Sequence, residues 1–208
     1  MEYISLGSHC YPAWLIERMG LRNAAYPFDW LFSDPRMILD CLRDRCSTLL
    51  NPIYHQKVDA HRSNHTLYGP RFGHTSVFNH HDITHPDTAA HFSRAVGRME
   101  EILSSSEDVQ LVLMAPQLRL SDQIFHELVH ELTLRNPSND LVAIRLHGSG
   151  DGLGMVPPEG RSNPREVKLT IKIDNGRLYE FRPQSDMQGG MAFEDESDNS
   201  ALERLIVS

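Results

Sequence analysis

Cysteine and histidine are the residues of this 208-residue chain with the most chemistry to offer, and it carries 3 Cys and 12 His. Cys10 ends the run Tyr3-Ile4-Ser5-Leu6-Gly7-Ser8-His9-Cys10, after which Trp14, Leu15 and Met19 recur at helical spacing until Gly20. The pattern reads as strand, tight turn and helix, with Pro12 in the first helical turn. A thiol at that junction meets unpaired backbone N–H groups and the positive end of the helix dipole, which lower its pKa. The same N–H groups suit an oxyanion, so one local structure supplies a nucleophile and part of a hole for a tetrahedral intermediate. Cys41 lies on an apolar helical stripe and reads as core, and Cys46 has no partner motif.

A second pattern competes. His126-Glu127-Leu128-Val129-His130 matches H-E-x-x-H, in which two His one helical turn apart bind zinc and the Glu polarises water. On a wheel of about 100° per residue, however, Ile124, Phe125, Leu128 and Leu132 share one face and both His fall on the far side. The Gly and His of the extended motif do not follow Glu131. A solvent-facing His pair is the better reading, with a zinc metalloprotease kept as a third function hypothesis; no metal or cofactor is expected. His55, His61, His65, His74, His85 and His91 lack a ligand spacing and read as surface loop. Gly148-Ser149-Gly150-Asp151-Gly152 lacks the Lys and following helix of a phosphate loop and reads as part of a mobile connection from His147 to Pro164.

These groups need a scaffold, and the chain is long enough for one buried core. Ser33-Asp34-Pro35 caps a helix through about Arg43, striped by Met37, Ile38, Cys41 and Leu42. Residues 51 to 85 read as a long loop with one short strand, Thr75 to Phe78. A helix is expected from Asp87 to Ser105, a fully covered strand from Val109 to Met114, a helix from Ser121 to Leu134, and a second apolar strand from Leu141 to Leu146. That alternation is a βαβ unit with a parallel pair. Val167 to Ile173 and Leu178 to Phe181, joined by Asp174-Asn175-Gly176, read as a hairpin through a type I′ turn, extending the sheet. The polar, acidic tail ends in a short helix, Ala201 to Val207. The expected fold is α/β, a single domain with a mixed, partly parallel sheet flanked by helices: residues 1–183 form the catalytic-type domain and 184–208 an acidic C-terminal extension.

Composition narrows the function. With 20 Lys and Arg against 28 Asp and Glu, the net charge of −8 argues against a phosphate-backbone partner, so no nucleic acid is expected. No apolar run approaches the roughly 20 residues of a membrane span, so no membrane partner is expected. Odd cysteine count and the lack of a signal peptide place the chain in the reducing cytoplasm. Oligomeric state is left open.

Several residues at fixed spacings then carry a resemblance. Ser5-Leu6-Gly7-Ser8-His9-Cys10, Leu15, Gly20-Leu21-Arg22 and Pro27-Phe28-Asp29-Trp30, with the later block Phe78-Asn79-His80-His81-Asp82 ahead of Phe92-Ser93-Arg94 and Arg98, resemble a bacterial family described as putative papain-like cysteine peptidases. The similarity covers about residues 4 to 145. It implies Cys10 as nucleophile and His80 as base, with His81 the alternative because the doubled His blurs the register. A third group must hold the imidazole's tautomer. Asp29 is the first choice and Asp82 the second, although Asp29 reads equally well as the cap of the turn before Trp30. Ser8 and His9 are candidates for the oxyanion pocket, and Trp30 is either an apolar wall or core. The implied function is a cysteine-dependent hydrolase or acyltransferase, of papain-like peptidase or amidase type, acting through an acyl-thioester on a small molecule, peptide or glycan. A non-catalytic binding or assembly module is the alternative from another class.

Overall fold

A computed structural model describes residues 1–148, 165–188 and 192–208. Its elements run β1 (Glu2–Ser5), α1 (Tyr11–Arg18), α2 (Pro35–Asp44), β2 (His55–Lys57), β3 (Ser63–His65), α3 (Tyr68–Phe72), α4 (Pro86–Leu103), β4 (Val109–Pro116), α5 (Asp122–Arg135), β5 (Asn139–Leu146), β6 (Glu166–Ile173), β7 (Gly176–Arg182), β8 (Met187–Gln188), β9 (Ala192–Phe193) and α6 (Glu196–Ile206). Five strands make one sheet in the order β1-β4-β5-β7-β6, parallel except for β6, which runs antiparallel to β7. The protein is therefore of the α/β class with a mixed, mostly parallel sheet flanked by helices.

The apolar runs explain this arrangement. In β4 and β5 nearly every residue is buried, as a strand requires when helices cover both faces. Leu111, Leu113, Leu141, Ala143 and Leu178 pack with the apolar stripes of α2, α4 and α5. Their alternates Val112, Met114, Val142, Ile144 and Phe181 pack with Tyr11, Leu15 and Ile16 of α1 and Leu202 and Ile206 of α6. The helix starts are capped as their sequences suggest: Asp34 accepts from the Arg36 N–H at 2.9 Å, and Ser121 from the Ile124 N–H at 3.2 Å. The βαβ unit is β4, α5 and β5, paired in parallel from Val109 with Asn139 to Pro116 with Leu146.

The structure departs from the sequence-based expectations in four places. Residues 51–85, expected as a loop with one strand, instead hold the antiparallel β2–β3 pair and α3, while Thr75 to Phe78 is not a strand and only Phe78 forms an isolated bridge, with Ser63. Side chains take over the hydrogen bonds a ladder would make: Asn64 Oδ1 accepts from the Val77 N–H at 3.2 Å and Ser63 Oγ from the Ile83 N–H at 3.0 Å. In the β6–β7 hairpin, Ile173 pairs with Gly176, so the turn is Asp174-Asn175, and Asp174 takes the positive φ of 39°. Gly176 belongs to β7 and is needed for packing, because a Cβ there would collide with Val129 Cγ2. The last helix starts at Glu196, not Ala201, because its polar first turn is held without apolar contacts. Asp195 caps Ser197 N–H at 2.8 Å, and buried Asp198 accepts from the Gln184 and Ser185 N–H groups and from Arg165.

The fourth departure concerns the histidines. His65 and His74 are buried, not surface loop. His65 bonds Thr48 O through Nε2 at 3.0 Å and accepts the Tyr68 N–H at Nδ1, which satisfies both ring nitrogens. The expected 147–164 connection falls almost entirely outside the described residues. Among the described residues no helix is long and apolar enough to cross a membrane.

Candidate active site

The turn that presents Cys10 is stitched to the sheet beyond the end of β1. Leu6 N–H donates to Val112 O at 2.8 Å, Met114 N–H to Gly7 O at 3.3 Å, and Ser8 Oγ to Met114 O at 2.6 Å. On the other side Ser33 N–H donates to Ser8 O at 3.1 Å. Gly7 sits at φ 81°, and a Cβ there would come within 2.5 Å of Ser33 Oγ, so glycine is required twice over. The chain then enters α1 with Cys10 at the N-cap, at the carboxyl-end edge of the parallel sheet, where α/β folds build their sites.

The partner of Cys10 comes from 70 residues away: His80 Nε2 lies 3.1 Å from its Sγ. Local sequence explains how His80 is presented. Phe78 is anchored by its bridge to Ser63 and by its edge contact with Phe92, and His81 packs its ring on Phe92 and His91. Pinned on both sides, the turn projects His80 outward, where it is exposed on one side and meets the thiol on the other.

Electrostatics at the thiol differ from the sequence reading. Cys10 is only 3% exposed, and burial pushes its pKa up to about 11, its own backbone N–H opposing this incompletely. Desolvation of the thiolate outweighs that one backbone hydrogen bond. The thiol is accordingly protonated at neutral pH.

The remaining nominated residues are placed as follows. His81 turns to His91 and Phe92, and burial, with the neighbouring His91 and His80, lowers its pKa. Asp82 is held by Lys57 Nζ at 2.8 Å and by Thr84. Asp29 is buried, and its Oδ2 accepts from Arg22 Nη2 at 3.0 Å and from the Tyr26 N–H at 2.9 Å, which is the turn-capping arrangement. Burial raises its pKa while these two donors oppose the rise. Neither Asp is brought to His80, whose polar ring contacts among the described residues are Cys10 Sγ and Asn79 Nδ2, both at Nε2. Ser8 spends its hydroxyl on Met114 O. His9 is buried with Nδ1 unpartnered, and desolvation lowers its pKa to about 4, so it is neutral. Trp30 is half-buried and stands edge-on to His80, with centroids 6.3 Å apart at 86°.

Arg22 is the residue that sequence reasoning passed over. It lies in the Gly20-Leu21-Arg22 run, and its guanidinium is 5.8 Å from the Trp30 ring. On α5, His126 and His130 are both exposed, and Glu127 receives Arg43 at 2.8 Å and Gln123 at 2.9 Å. Among the described residues no three His, Cys, Asp or Glu side chains converge as a metal would require.

A thiol touching an imidazole at the carboxyl edge of an α/β sheet defines the class: an α/β protein with a cysteine–histidine site. The model of one family, described as putative papain-like cysteine peptidase (DUF1796), matches residues 1–142, and the chain belongs to that family. No curated protein and no solved structure matches the chain.

Proposed function

We propose that the protein is a cysteine-dependent enzyme of amidase or peptidase type, with Cys10 as nucleophile and His80 as general base, forming an acyl-thioester. The 3.1 Å contact between Cys10 Sγ and His80 Nε2 carries the reading. Because the buried thiol is neutral at rest, the proton moves as the bond forms: Sγ attacks the carbonyl carbon while Nε2 takes the thiol proton. The oxyanion that results is stabilised by backbone N–H groups at the start of α1, Pro12 contributing none. Collapse of the intermediate breaks the bond to the leaving group, which receives the proton from His80. The thioester is then cleaved by water, giving hydrolysis, or by an amine or hydroxyl, giving acyl transfer, with His80 again removing the proton. Substrates of this chemistry are peptides, acylated glycans or small amides.

Iodoacetamide labelling at neutral pH, read peptide by peptide, tests the proposal. Cys10 labels first, and His80→Ala slows it while Cys41 and Cys46 stay inert. Equal, slow labelling of all three in the native protein would sink the nucleophile. Mass analysis of the acyl product with added hydroxylamine, free acid against hydroxamate, distinguishes hydrolysis from transfer to an amine.

A further inference from the structure

His80 is half in solvent, and neither carboxylate nominated for it reaches it. What it does touch is Trp30, edge to face at 6.3 Å and 86°. Trp30 in turn carries the Arg22 guanidinium at 5.8 Å, and Arg22 is held by Asp29 at 3.0 Å, with Glu17 at 3.9 Å. Arg22 Nε is buried with no hydrogen-bond partner among the described residues, as expected of a guanidinium laid against a ring. Asp29 is itself fixed by the Tyr26 N–H at 2.9 Å, inside the turn that leads to Trp30. The contacts are continuous from a buried carboxylate to the imidazole beside the thiol.

We propose that Arg22, Trp30 and Asp29 are positioning residues for His80: Asp29 orients the guanidinium, the guanidinium holds the indole, and the indole sets the imidazole plane so that Nε2 faces Cys10. Asp29 then serves the site through two intermediaries instead of by a hydrogen bond to the base. An aromatic stack of this kind restrains the ring's tilt and rotamer while leaving its solvent side open to a substrate or leaving group. The inference rests on the thiol–imidazole reading above.

The test is the pH profile of Cys10 alkylation from pH 6 to 10 in the full chain, with His80→Ala, Trp30→Leu and Arg22→Met, and the conservative Trp30→Phe and Arg22→Lys. Trp30→Leu and Arg22→Met are expected to lower the neutral-pH rate about tenfold and to bring the profile toward that of His80→Ala. All variants should converge on the alkaline limb, which reports access to the sulfur and not the base. Trp30→Phe and Arg22→Lys retain an aromatic edge and a cation over the ring, and stay within about threefold of the native rate. If Trp30→Leu and Arg22→Met keep the native profile while His80→Ala loses it, the positioning role is overturned and the site stands. If His80→Ala also keeps the native profile, the site reading itself falls. Should Arg22→Met fail to fold, Trp30→Leu decides, since Trp30 is half-buried.

Discussion

His126 and His130 lie one turn apart on a single helix in a motif known for zinc, yet both face solvent and the intervening Glu127 is bound to Arg43. Cys10 and His80 have no motif in common, lie 70 residues apart, and touch. The histidines of the two regions differ as well: around the Cys10 turn His9 and His74 are buried, each with one ring nitrogen unpartnered among the described residues, whereas those of α5 are exposed. Spacing along one helix fixes relative direction but says nothing of whether anything else converges. A site needs burial and a partner: here the sheet edge buries the thiol and a distant turn supplies the imidazole.

The largest expected effect is on acid stability. His9 and His74 have pKa values lowered by burial from 6.5 to about 4. The unfolded chain takes up those protons near 6.5 and the folded one only near 4, so stability is full above this window and falls as pH drops through it. Each imidazole accounts for a loss on the order of 3 kcal/mol by pH 4. Urea unfolding at pH 7 and pH 4.5 measures it, and the double variant His126→Asn/His130→Asn should lose as much as the native protein. A stability that stays flat across the window would erase the contrast between the two groups of histidines.

Next is the base. Removing the His80 imidazole should slow acylation, or neutral-pH labelling of Cys10, by about 10²-fold, the usual contribution of a positioned general base. Beyond the His80-dependent neutral limb, labelling should climb again as pH rises toward the thiol's pKa of about 11. A rate that levels off by pH 8 and does not rise again up to pH 10 would mean a resting thiolate instead.

Smaller is the effect of Gly7→Ala, which meets both a positive φ and Ser33 Oγ at 2.5 Å. It should cost about 1–3 kcal/mol in urea unfolding. Because the strained residue sits three before Cys10, labelling should slow with it; loss of stability with native labelling would show that the turn does not set the thiol's position. The smallest effect belongs to the zinc-like motif. Glu127→Gln and the double His variant should leave Cys10 labelling and the thermal midpoint unchanged, and elemental analysis of the purified protein tests the motif directly. Stoichiometric zinc that disappears with those two His would reverse the ranking of the two regions.

Much of the scaffold was legible. Strand, turn and helix around Cys10, the capped helix after Asp34, the long helix before Val109 and the βαβ unit all rest on contacts within a few residues, so apolar period and capping chemistry report them directly. Residues 51–85 were less legible because Ser63, Asn64 and His65 hold that region through side-chain hydrogen bonds, which leave no periodic trace. Helix α6 was read short for the same reason, its first turn resting on Asp195 and Asp198.

The amino-acid sequence alone determined that a cysteine stands at a strand-to-helix turn, that the sheet has a parallel core, and that His126 and His130 point away from the apolar face of α5. Each is a matter of neighbours within one or two turns of chain. Tertiary structure decided which of the doubled histidines meets the thiol, that Asp29 is engaged by Arg22 and Tyr26, and that burial raises the thiol's pKa where the helix start alone would lower it. Desolvation and hydrogen-bond partnership are properties of groups brought together from distant parts of the chain, and only the packed fold assigns them.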